Sequence, residues 1–103
     1  MKKMQLITLD QLVDILENLK QNDTFDFCAV YMNGSGEEWY GFRRIHAFDA
    51  DTFIFNYYGG GCAYIFEHID TDEFKDQISV ALVEDCGITE IWVEEKDLKR
   101  GHS

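Results

Sequence analysis

At 103 residues the chain can bury one hydrophobic core but not two. Its 46% hydrophobic and 15% aromatic content excludes a disordered chain, despite a formal net charge of −11. Twenty acids against nine Lys and Arg repel phosphate, which argues against direct nucleic-acid binding and against adhesion to anionic membranes. Residues 8–20 read as a helix. Thr8 and Gln11 fit a capping box, and Leu9, Leu12, Val13, Leu16 and Leu19 recur at helical spacing. Asp10, Asp14 and Glu17 fall on the opposite face. Asn22-Asp23 then breaks the pattern, and residues 24–32 alternate with two fairly apolar faces, as a central or covered strand would. Asn33-Gly34-Ser35-Gly36 is a turn, and residues 37–48 are a second strand, with a bulge expected near Gly41. Asp49-Ala50-Asp51 turns the chain again before a third strand over 52–58. Gly59-Gly60-Gly61 separates it from a short fourth strand over 62–67.

Residues 70–85 read as the second helix. Asp70 or Thr71 caps it, Asp72 and Glu73 suit its positive N-terminal end, and Phe74, Ile78, Ala81 and Leu82 form the buried stripe. Gly87 suits the left-handed residue that ends a helix, and residues 88–94 form a further strand carrying Trp92. The tail over 96–103 reads as flexible. The expected fold is one α+β domain over residues 1–103. Its antiparallel sheet has about four to five strands with two helices packed on it, in the order α-β-β-β-β-α-β.

Motifs for chemistry are sparse. Cys28, Cys62 and Cys86 are odd in number and widely spaced, which argues against a disulfide framework. Gly59-Gly60-Gly61-Cys62 lacks the Lys and Ser/Thr of a phosphate loop and reads as a hairpin turn. A Cys62 nucleophile would need His46 or His68 as its base. Cys86, at a helix C-terminus, is poorly placed for a thiolate, and Cys28 reads as a small apolar strand residue. Cys62, His68 and Cys86 show no zinc spacing, and neither Asp49-Ala50-Asp51 nor Asp70-Thr71-Asp72-Glu73 has the ligand order of a calcium loop. One of Arg43 and Arg44 should point outward and answer a nearby carboxylate. No catalytic, cofactor-binding or metal-binding residue is assigned, and an enzyme is not expected.

Charge is what remains. From Met4 to Glu95 there are nineteen acids and four bases (Lys20, Arg43, Arg44, Lys75), a net −15, while the two ends are basic. The apolar stretch after Met1-Lys2-Lys3-Met4-Gln5 breaks too early for a signal peptide, no segment reaches the length of a membrane span, and a cytoplasmic location is expected. By size and charge alone the chain is similar to small phage and mobile-element inhibitors, the anti-CRISPR and anti-restriction proteins, and to immunity proteins that neutralise basic toxin nucleases. The expectation that follows is a protein-binding module that imitates nucleic acid and docks on the basic surface of a nucleic-acid enzyme. The acids available are Asp10, Asp14, Glu17, Glu37, Glu38, Asp49, Asp51, Asp70, Asp72 and Glu73, with Trp39 and Tyr40 as aromatic anchors. Two rivals stand beside it: a thiol-dependent or ligand-binding enzyme centred on Cys62, and a structural or oligomeric accessory domain.

Overall fold

A computed structural model describes residues 3–56 and 63–98. The Gly59–Gly61 turn, Cys62, Tyr57, Tyr58 and the end of the tail lie outside the described residues. The elements run β1 (Met4–Ile7), α1 (Leu9–Glu17), β2 (Thr24–Met32), β3 (Glu38–Ala47), β4 (Thr52–Asn56), β5 (Ala63–Glu67), α2 (Thr71–Ile78), a π-helical segment (Ser79–Asp85), β6 (Ile88–Glu94) and α3 (Glu95–Leu98). The fold is α+β, with every strand pair antiparallel.

The sheet order is β1-β6-β2-β3-β4-β5. Strands β2 to β5 form the meander expected from their short turns. The sheet has six strands rather than four or five, because Met4–Ile7 pairs with β6 along its whole length. Only Ile7 of these four residues is buried, so an edge strand this short shows almost no alternation. The bulge expected at Gly41 is absent: β2 and β3 stay in register from Thr24↔His46 to Met32↔Glu38. The irregularity falls instead between β2 and β6, at Val30/Tyr31, where the Thr89 hydroxyl donates to the Val30 carbonyl at 3.2 Å.

Local chemistry sets the helix ends. The Thr8 amide donates to Gln11 Oε1 at 2.9 Å while the Gln11 amide donates to Thr8 Oγ1 at 3.2 Å, the reciprocal capping box. Asp70 Oδ1 accepts the Glu73 amide at 2.8 Å and starts α2. Past Ile78 the helix widens, and the Cys86 amide reaches back five residues to the Ala81 carbonyl. Gly87 then takes φ +73°, the left-handed conformation that turns the chain into β6.

The core lies between one face of the sheet and the helices. Phe25, Phe27, Ala29 and Tyr31 of β2 are buried there with Ile45 of β3, Phe53 and Phe55 of β4 and Phe66 of β5. Leu12, Val13, Ile15 and Leu16 of α1 and Phe74, Ile78, Ala81 and Leu82 of the second helical stretch close over them. At the tail, α3 forms one helical turn and Leu98 packs against the core. None of the described helices is long and apolar enough to cross a membrane.

Candidate functional site

The two helices lie antiparallel, because Asp10 at the start of α1 reaches Lys75 in α2 while Glu17 at its end reaches Thr71 at the start of α2. Their outer surface is strongly acidic. Across α1, α2 and the π-helical segment stand eight carboxylates and one amine. The amine, Lys75, is bound to Asp10 at 2.6 Å, and that hydrogen bond raises its pKa. Asp14, Asp72, Glu73, Asp76, Glu84 and Asp85 are exposed. Between β5 and the second helical stretch runs an open groove of about 470 Å³, lined by Tyr64 and Val80 and by three of these acids, Glu73, Asp76 and Asp85. Gln77 shapes its wall, since its side chain pairs with both backbone groups of Glu67 at 2.9 and 2.8 Å.

The candidate residues from the sequence do not share one surface. Asp10, Asp14, Glu17, Asp70, Asp72 and Glu73 belong to the helical layer, but some of them already have structural duties. Glu17 Oε2 accepts from Thr71 Oγ1 at 2.7 Å and pairs with His68 Nε2 at 2.6 Å, and Asp70 is the cap of α2. Glu37 and Glu38 stand at the β2–β3 turn. Asp49 and Asp51 stand at the other end of β3, about 30 Å away along a ten-residue strand, and Asp49 Oδ1 accepts the Asp51 amide at 2.9 Å. Trp39 and Tyr40 point to opposite faces. Trp39 stacks on Tyr31 at 4.3 Å on the helix side, whereas Tyr40 stands open on the far side, 72% exposed. Asp76, which lines the groove with Glu73 and Asp85, escaped the sequence reading; its spacing three residues from Glu73 along the second helix was the available signal.

Among the described residues no helix packs on the far face of the sheet. Leu6, Trp92, Cys28 and Phe42 sit opposite one another on β1, β6, β2 and β3 and form an apolar row. Val30 and Tyr40 form the next row beside Glu90, which accepts the Trp92 indole proton at 2.9 Å. The carboxylates bordering the stripe on its other side are matched by cations. Arg44 Nε donates to Asp26 Oδ1 at 2.6 Å, which raises the Arg44 pKa further, and Glu94 pairs with Lys96 at 3.2 Å. Arg44 thus points outward to a carboxylate, as its place on an antiparallel strand suggests.

Arg43 points to the helix side. Its Nη1 donates to the Phe42 carbonyl at 2.8 Å and its Cζ lies 5.3 Å from the Tyr31 ring centre. Gly41 makes room for it, since a Cβ there would stand 2.8 Å from Arg43 Nη1. This close approach, not a bulge, accounts for the glycine. Burial pushes the thiols of Cys28 and Cys86 up, which favours neutral sulfur over a thiolate nucleophile at both. His68 packs on the Phe74 ring at 4.8 Å while holding Glu17. Among the described residues no three His, Cys, Asp or Glu side chains gather as cation ligands. The chain matches no protein-family model, no curated protein and no solved structure.

Proposed function

We propose that the chain is a protein-binding module that docks on a basic partner through its helical layer, most concretely as an inhibitor occupying the nucleic-acid-binding surface of an enzyme. The observation that carries the reading is the acid-rimmed groove between β5 and the second helix. An arginine or lysine side chain entering it would lie along Tyr64 and Val80 with its cation among Glu73, Asp76 and Asp85. The surrounding carboxylates of α1 and α2 would steer the approach of a positive surface. Asp10 and Asp14, one turn apart, rise about 6 Å, close to two base-pair steps of duplex, so a surface shaped for phosphates would meet charges at a similar repeat. An immunity protein against a toxin nuclease would use the same face.

The test is binding to a panel of basic nucleases, including CRISPR effectors, restriction enzymes and toxin nucleases, at low and high salt, with duplex DNA as competitor. Binding that falls with salt, yields to DNA and drops at least tenfold, about 1.4 kcal/mol, in the Asp76→Lys/Asp85→Lys variant supports the reading. Salt-independent binding, or binding untouched by that double charge reversal, removes it.

A further inference from the structure

Strand β5 ends the sheet order, so one of its edges has no strand beside it among the described residues. The ladder fixes which backbone groups face that edge. The His68 amide donates to the Asp51 carbonyl at 2.7 Å, one step beyond the Thr52↔Glu67 pair. Alternate residues of an antiparallel pair bond to the neighbouring strand, so Phe66 and Tyr64 turn their backbone groups to β4 while Glu67, Ile65 and Ala63 turn theirs outward. At Glu67 the outward N–H and carbonyl meet the Gln77 side-chain amide at 2.9 and 2.8 Å. A carboxamide carries the same donor and acceptor as a peptide group, so Gln77 stands where the backbone of a further strand would stand. Two residues along, the outward N–H and carbonyl of Ile65 have no such partner among the described residues. An open edge of this kind is a template for another chain. On the reading that the groove beside β5 is the docking site, we propose that it receives an extended segment of the basic partner as an added strand.

The pleat separates the two faces of such a segment. Its side chains alternate in step with those of β5. Tyr64 and Phe66 point to the helix side, where Tyr64 stacks on Phe55, and Ile65 points to the far side, 62% exposed. The residue opposite Ile65 therefore faces away from the helices and lies against an apolar neighbour. The residues on either side of it face the helix side. There Glu73, Asp76 and Asp85 line the groove, and none of the three stands in an ion pair among the described residues. Gln77 lies beside Glu67, and the groove continues past Val80 to Asp85, so carboxylates flank both ends of the edge. The stems of two basic side chains would lie along Tyr64 and Val80 with their cations among these acids.

The segment that fits is basic-apolar-basic. Main-chain pairing supplies attachment without sequence preference, and the acids supply the preference. Gln77 closes one end of the edge, so the added strand starts beside Phe66 and pairs with Ile65 and Ala63. Charge also selects a different chain as the occupant. A second copy joined edge to edge through β5 would set two rows of unpaired carboxylates side by side, on chains of net −11.

A capped Lys-Val-Lys-Val-Lys peptide, titrated into the isotope-labelled full chain and followed by amide NMR, tests this. With its lysines toward the groove, its valines aim their N–H groups at Ile65 and Ala63, and its lysines aim theirs away. Two further peptides carry N-methyl groups on both valines or, as the control of equal charge, on the lysines. The parent and the lysine-methylated peptide should bind, shift the Ile65 amide signal and slow its hydrogen exchange. The valine-methylated peptide should bind at least tenfold more weakly, and Asp76→Lys/Asp85→Lys should weaken the parent peptide at least tenfold. Equal binding by the valine-methylated peptide overturns the added strand, as does binding that leaves the Ile65 amide unchanged; either would mean that charge alone holds the segment. Binding by none of the three peptides overturns it too. The nuclease panel then still decides by itself whether the groove is a docking site, since a partner that binds there without pairing β5 would pass that panel and fail this test.

Discussion

Glu17→Ala should destabilise the fold far more than an exposed helix residue normally does. One oxygen of this carboxylate, Oε2, meets His68 Nε2 at 2.6 Å and accepts from Thr71 Oγ1 at 2.7 Å. It thereby joins the end of α1 to the exit of β5 and the first residue of α2. Hydrogen bonds to a charged group contribute about 1.5–3 kcal/mol each. About a quarter of each side chain of the Glu17–His68 pair remains in solvent, at 25% and 24%, which screens part of the attraction. We therefore expect about 2 kcal/mol for the whole node rather than the full sum of two bonds. For a domain of this length that corresponds to a melting temperature lower by about 10 °C. Thermal unfolding followed by circular dichroism at neutral pH measures it. Glu17→Gln keeps the shape and an acceptor for Thr71, and should lose about half as much. A double-mutant cycle with His68→Ala should give a coupling of at least about 0.5 kcal/mol. A melting temperature within about 2 °C of the parent for Glu17→Ala, or strict additivity in the cycle, would refute this account of the node.

Thr8→Ala removes half of the reciprocal cap of α1 and should cost about 1 kcal/mol by urea unfolding, with Thr8→Ser close to the parent. Stability should fall in alkali. Burial holds the Cys28 and Cys86 pKa values above 9.0, so the folded chain keeps these protons longer than the unfolded one. Their contribution is complete below the unfolded pKa and is lost as pH rises through the folded values, so the urea midpoint should begin to drop as pH rises past the free thiol pKa of about 8.5. It should drop less in a Cys28→Ala/Cys86→Ala variant.

Most of the architecture was legible because its signals are local. The Leu12-Val13-Leu16 stripe of α1 and the Phe25-Phe27-Ala29-Tyr31 alternation of β2 each lie in one continuous segment, and each is buried where the period places it. Strand β1 was not legible, since Met4–Ile7 holds a single buried residue and draws its stability from a partner more than eighty residues away. Gly41 misled for a related reason: its neighbour Arg43, two residues on, fills the space a side chain would take, and a glycine that admits a guanidinium reads the same as one that kinks a strand. The acid count spread its candidates over both helices and several turns, and an acid count cannot separate a carboxylate that holds the fold, such as Glu17 or Asp70, from one that lines a groove, such as Asp76. The apolar far face was half visible. Tyr40 stood out as an aromatic anchor, while the row through Phe42, Cys28, Trp92 and Leu6 depends on cross-strand register that no single segment encodes.

The placing of β6 between β1 and β2 has a consequence for how the molecule is made. Emerging from a ribosome, β2 to β5 can pair as neighbouring hairpins as soon as each appears. Strand β1, though synthesised before all of them, has no neighbour until Ile88–Glu94 follows. Until then Phe25, Phe27 and Ala29 back onto a sheet missing one of its interior strands, with the β2 edge open to other chains. The long loop closed by β1–β6 pairing makes this the slow part of folding. An arrest of translation just before residue 88 would leave a half-built sheet dependent on chaperones, and only the appearance of Ile88–Glu94 lets it close.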